Sequence, residues 1–101
     1  MVGANFDREE IRDAIYSAMG DLVDAGVELE RVALIVGGLD FLITGEDGIR
    51  LRDDELLIMA SNEGALASML YEDLQASWPG PQEETWKIAD TIAAACGEAV
   101  R

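Results

Sequence analysis

An apolar run of fourteen residues, RVALIVGGLDFLIT at positions 31–44, limits the possible folds more than any other part of the chain. The run is rich in β-branched residues, which favour strands. Gly37 and Gly38 divide it into two segments of strand length, and a glycine pair is typical of a hairpin turn. The run therefore predicts two buried antiparallel strands, residues 31–36 and 39–44, joined by a tight turn. A bulge in one longer strand is the alternative.

The following residues extend this pattern. Residues 45–48 have the composition of a second turn, residues 49–52 are a short strand or a wide loop, and the apolar run at 56–60 favours another strand. A helix over residues 54–60 is the main alternative, because periodicity does not separate the two structures over so short a segment.

Three amphipathic helices complete the prediction. The first covers residues 8–25, where Asp7 and Glu10 have the spacing of a capping box and Gly26 ends the helix. The second is capped by Ser61 or Asn62, and the third covers residues 82–99. The chain is thus predicted to be a single α+β domain, residues 1–101, with element order α-β-β-(β)-β-α-α. Its helices pack on a small antiparallel sheet of three or four strands that form a meander.

The charge balance restricts the partners. The chain has 21 Asp and Glu against 7 Lys and Arg, a formal net charge of −14. Direct binding to nucleic acid or to an anionic membrane surface depends on cationic side chains, so neither is predicted. A protein partner with a basic or apolar surface is predicted instead. Solubility is the alternative explanation of the charge.

The residue types also restrict the chemistry. The chain has no His, which excludes His-containing triads and the common zinc motifs. Cys96 is the single cysteine and forms no internal disulfide. We therefore expect no enzymatic activity, no metal and no cofactor. The chain shows no secretion signal or apolar segment of membrane-spanning length, which predicts a cytoplasmic protein.

The segment TGEDGIRLRDDE, residues 44–55, is acidic and contains glycine, as a calcium-binding EF-hand loop does. With Gly48 at loop position six, positions one and three are Ile43 and Gly45, neither of which supplies a side-chain oxygen. The segment is therefore interpreted as a turn between strands. A weak cation site at Asp53, Asp54 and Glu55 is the remaining alternative.

Two functional hypotheses follow. In the first, the chain is a non-enzymatic adaptor that forms a homodimer through the exposed edge of strand 31–36, since an unpaired edge can pair with a second copy. The residues predicted at this interface are Tyr16, Met19, Leu34 and Val36.

In the second hypothesis, the chain is a small acidic inhibitor of the phage type, which mimics nucleic-acid charge and blocks a nucleic-acid-binding host protein, as anti-CRISPR or anti-restriction proteins do. Nine carboxylates are predicted to form one acidic face: Asp21, Asp24, Glu28, Glu30, Glu46, Asp47, Asp53, Asp54 and Glu55.

The segments DAGVELERVALIVGGLDFLITGEDG and LLIMASNEGALASMLYEDL together resemble the second half of the roadblock family, the dynein light chain type of domain. The resemblance covers about residues 8–76, and the pattern at Leu57–Ala60, Leu66-Ala67 and Tyr71-Glu72 carries it. The resemblance implies a non-enzymatic adaptor that dimerises along its long helix and edge strand. It also implies binding to small GTPases or to motor and signalling complexes.

Overall fold

The computed structural model describes residues 7–46 and 48–101, and these residues form five helices and no strand. The predicted α+β class, its antiparallel sheet and all of its strands are therefore wrong for the described chain, which is all-α. The helices are α1 (Arg8–Asp24), α2 (Leu29–Thr44), α3 (Asp53–Ser61), α4 (Glu63–Ser77) and α5 (Gln82–Ala99).

Helix α2 replaces the two predicted strands and continues through Gly37 and Gly38. Its buried apolar positions are spaced by three or four residues, which places them on one face of a helix. They are Val32, Ile35, Val36, Leu39 and Ile43. Each glycine inside a helix costs about 1 kcal/mol relative to alanine. Burial of five large apolar side chains, each contributing about 1.5–3 kcal/mol, outweighs that cost.

Helix α3 replaces the predicted strand at 56–60, so the helical alternative for this segment is the one the structure adopts. Asp53, Asp54 and Glu55 form its first turn, where negative charge is stabilised by the helix dipole. The Glu55 carboxylate also accepts a hydrogen bond from the backbone N–H of Arg52 (3.0 Å). The DDE sequence therefore begins a helix.

The other three helices agree closely with the predicted ranges. The Asp7 carboxylate caps α1 by accepting from the Glu9 N–H (2.9 Å), and Gly26 follows the helix with a positive φ of 95°. The Asn62 side chain caps α4 by accepting from the Ala65 N–H (3.4 Å). Helix α5 covers the predicted residues 82–99.

The core lies between α1, α2, α4 and α5, with α3 packed against α4 and α5. Helix α1 runs antiparallel to α2, because Arg8 at its start donates to the carbonyl of Ile43 at the end of α2 (2.7 Å). Arg8 also donates to the carbonyl of Leu51 (2.6 Å) and pairs with Asp53 (2.8 Å), which fixes the loop before α3. Helix α2 packs more closely on α1 than on α4, which leaves a groove on its α4 side.

Of the helices in the described ranges, none combines the length and the apolar character needed to cross a membrane.

Candidate protein-binding groove

The outer face of α2 is apolar as well as its buried face. Leu34 and Phe41 are 44% and 64% exposed, and Gly37 and Gly38 lie between them on the same face. A Cβ atom added at either glycine would meet no other atom within 4 Å, so the surface above them is open. Large apolar side chains beside an open backbone form a surface that another helix can approach closely.

A groove between α2 and α4 encloses about 290 Å³. Leu34 and Gly38 of the outer face line this groove, whereas Phe41 lines a separate depression on α2. The apolar walls of the groove come from both helices, and Asp73 and Ser77 supply polar groups on the α4 side. The lining residues are Leu34, Ile35, Gly38, Leu39, Leu42, Met69, Leu70, Asp73 and Ser77. Met69, which is 42% exposed, is the most open large apolar side chain of the α4 wall.

A second depression continues from Met69 towards α3 and encloses about 170 Å³. Its lining is almost entirely apolar and includes Ile58, Met59, Ala65 and Leu66. Ile58 is 68% exposed, the largest exposed fraction among the large apolar residues of the described chain. The groove and this depression together form an apolar surface across α2, α3 and α4, which we call the α2–α4 surface.

The α2–α4 surface is strongly negative. Its three helices contain eight acidic residues, namely Glu30, Asp40, Asp53, Asp54, Glu55, Glu63, Glu72 and Asp73, and one basic residue, Arg31. Arg31 is only 2% exposed and points into the protein. Five of the eight carboxylates are paired with arginines outside these helices, namely Arg8, Arg12, Arg52 and Arg101, whereas Glu30, Glu72 and Asp73 form no ion pair within the described residues.

Arg31 instead fixes α2 against the connection between α4 and α5. Its guanidinium pairs with Glu84 and donates to the carbonyl of Trp78 (3.2 Å) and the hydroxyl of Thr85 (2.7 Å). Gly80 lies so close that a Cβ there would approach Arg31 Cζ to 2.7 Å. This contact sets the N-terminal end of α2 relative to α4, and so sets the width of the groove.

On its α1 side, α2 presents a polar cluster around Asp40. Arg12 and Thr44 donate to the Asp40 carboxylate (both 2.9 Å), and so does the Tyr16 hydroxyl (3.2 Å). Partial burial acts to raise the pKa of Asp40, but the hydrogen bonds from Thr44 and Arg12 outweigh it and hold this pKa below its ordinary value. The cluster connects α1 to α2.

The structure separates the four residues predicted at a dimer interface. Val36 is 2% exposed and cannot contact a partner, and Met19 is partly buried against the core. Tyr16 belongs to the Asp40 cluster, whereas Leu34 lines the groove. The edge strand on which the dimer prediction depended is part of α2.

The predicted acidic residues fall into two groups. Asp21, Asp24, Glu28 and Glu30 lie where α1 ends and α2 begins, and Glu46, Asp53, Asp54 and Glu55 lie beyond the other end of α2. Helix α2 is about 24 Å long, which separates the groups. Asp47 lies outside the described residues. In the first group, a hydrogen bond with Glu30, together with burial and the charge of Glu30, raises the pKa of Glu28.

Residues 7–46 and 48–101 provide neither a metal site nor a reactive thiol. These residues contain no group of three or more Cys, Asp or Glu side chains arranged to hold a metal ion. Cys96 is buried in the core, and burial raises the pKa of its thiol to about 12.

Sequence reasoning missed most of the α2–α4 surface. The sequence pattern predicts strands at Phe41 and Ile58, a turn at Gly38, and the apolar face of a helix at Met69. One signal in the sequence could have located this surface. If residues 31–44 are treated as a helix, the spacing of the buried α2 residues places Leu34 and Phe41 on the opposite face.

Comparison with known proteins gives no match to any protein family, curated protein or solved structure. The resemblance to the roadblock family receives no support from these comparisons. The strands that this resemblance requires at residues 31–36, 39–44 and 56–60 are helical.

Proposed function

We propose that this chain is a protein-binding module, and that the α2–α4 surface holds a helical segment of a protein partner. One observation carries the proposal. Leu34, Phe41, Ile58 and Met69 are exposed large apolar side chains on three helices, and Leu34 and Met69 line the same groove. Contiguous exposed apolar surface of this kind marks an interaction site more often than a chance feature.

The shape of the surface favours a helical ligand. A helix that docks in a groove uses apolar side chains spaced by three, four and seven residues, and Leu34 and Phe41 present the same seven-residue spacing from α2. Gly38 in the groove floor allows a close approach of backbones. Methionine side chains, such as Met69, adapt to differently shaped ligands because they are flexible and polarizable.

A second copy of the chain is the competing occupant. Two copies that met through the α2–α4 surface would each bring Glu30 and Asp73 to the contact, two exposed carboxylates that form no ion pair within the described residues. Like charges across an interface cost binding energy. A partner of different sequence therefore fits the surface better.

The test uses amphipathic helical peptides of one apolar pattern with cationic, neutral or acidic polar faces, and measures binding by fluorescence anisotropy. We expect at least one peptide to bind the unmodified chain, and the double substitution Leu34→Ser with Met69→Ser to weaken that binding at least ten-fold. Both residues are partly exposed, so the fold should be retained. Leu29→Ser is the matched control, because Leu29 is 52% exposed on the same helix but outside the groove lining.

Backbone amide NMR shifts locate the bound peptide. Shifts confined to α2, α4 and the end of α3 are the expected result. Binding that is unaffected by the double substitution, or the absence of binding for all three peptides, would refute the proposal.

A further inference from the structure

We infer that the α2–α4 surface selects a cationic amphipathic helix, that is, a partner segment with apolar residues on one side and Lys or Arg along its flanks. This inference rests on the proposed function and adds the chemical class of the partner. It depends on where the carboxylates lie relative to the exposed apolar residues.

The apolar surface has carboxylates along its margins. Asp73 is exposed and lines the groove on the α4 side. Glu30 is exposed one turn before Leu34 on α2, and Asp54 is exposed one turn before Ile58 on α3. A helix lying over Leu34 and Met69 would therefore have carboxylates on both sides and towards one end.

Lysine and arginine side chains suit such margins. Their aliphatic stems cover apolar surface while their charged groups remain in water. The cationic ends would reach the carboxylates at the margin without being buried, so each contact would avoid the cost of desolvating an ion pair.

Of the three margin carboxylates, Glu30 and Asp73 form no ion pair within the described residues, whereas Asp54 lies 3.5 Å from the guanidinium of Arg52. The sequence from Asp53 to Trp86 contains no Lys or Arg. Arg31, the one cation of α2, is buried against Glu84 and Thr85. An acidic helix or a second copy would meet the same negative margin and be repelled.

The experiment compares the three peptides described above, whose apolar residues are the same and whose flanking residues are Lys, Gln or Glu. We expect the Lys peptide to bind about ten-fold more tightly than the Gln peptide at low ionic strength, since a few exposed ion pairs each contribute about two-fold or more. The difference should shrink as NaCl rises from about 0.05 to 0.5 M, because salt screens exposed charges. The Glu peptide should bind most weakly.

Substitutions that each remove one negative charge test whether the carboxylates beside the groove cause the preference for the Lys peptide. Asp73→Asn and Glu30→Gln should each weaken binding of the Lys peptide roughly two- to five-fold and leave the Gln peptide unaffected. Glu98→Gln is the control, since Glu98 is an exposed carboxylate between α1 and α5, away from the groove.

The outcomes separate the two proposals. Equal affinity for the Lys and Gln peptides would overturn the cationic preference and leave the proposed function standing. A stronger Glu peptide would also overturn the preference, and so would a self-associated chain in sedimentation velocity that Met69→Ser dissociates. Loss of binding for every peptide would overturn both.

Discussion

Removal of Glu84 should destabilise the protein more than removal of Arg31, although Glu84 is the more exposed member of the pair. The Arg31 side chain is 2% exposed and the Glu84 side chain 32% exposed. Glu84→Ala removes the carboxylate that forms the ion pair with this buried guanidinium. Arg31→Met leaves a carboxylate that water can reach, and the methionine fills much of the space of the arginine stem.

The expected magnitudes follow from what remains after each substitution. Leaving a buried charge unpaired costs about 3–5 kcal/mol. Two acceptors, the Trp78 carbonyl and the Thr85 hydroxyl, still hold the guanidinium in Glu84→Ala, so we expect the lower limit, about 3 kcal/mol. Arg31→Met removes the hydrogen bonds but leaves no unpaired charge in the interior. We therefore expect it to lower the free energy of unfolding by about 1–2 kcal/mol.

The double variant, Arg31→Met with Glu84→Ala, provides the critical comparison. It should be about 1–2 kcal/mol more stable than Glu84→Ala alone, because the second substitution removes the unpaired charge. Urea unfolding followed by far-ultraviolet circular dichroism measures all three values. The reasoning is refuted if Glu84→Ala costs no more than Arg31→Met, or if the double variant is the least stable of the three.

Three further predictions concern single residues. Gly38→Ala should stabilise the chain by about 0.5–1 kcal/mol in urea unfolding, because Gly38 lies inside α2 with open space around it. The Cys96 thiol, whose pKa burial raises to about 12, should react with a thiol reagent at pH 8 far more slowly in the folded chain than in urea, and equal rates would contradict this. Asp40→Asn should destabilise the chain at neutral pH. Because hydrogen bonds from Thr44 and Arg12 hold the folded pKa of Asp40 below its ordinary value, that loss should disappear as pH falls through the folded pKa, and a pH-independent loss would contradict it.

The sequence predicts α1, α4 and α5 well because their outward positions are mostly polar. Helix α5, for example, buries Ile88, Ala89, Ile92 and Cys96, and places charged residues such as Glu98 outside. The starts of α1 and α4 are also predictable, because the capping hydrogen bonds of Asp7 and Asn62 depend only on neighbouring residues. In these segments the local signals and the tertiary packing agree.

Helix α2 was mispredicted because its apolar residues are not confined to one face. Leu34 and Phe41 point outward, and together with the buried residues they turn an amphipathic pattern into an almost continuous apolar run. The glycine pair at 37 and 38 resembles a turn and divides this run into residues 31–36 and 39–44, two segments of a length typical of buried strands. Helix α3 posed a different problem, since its nine residues are too few for periodicity to separate helix from strand.

The mispredicted segment and the proposed binding surface have the same physical origin. A helix that is apolar on all sides is normally buried on all sides. Helix α2 buries one side against the core and exposes apolar side chains on the other, at Leu34 and Phe41. In the free chain, only part of the apolar surface of α2 is therefore removed from water. A partner helix over the α2–α4 surface would cover the remaining side, and α2 would then have the buried environment that its sequence indicates.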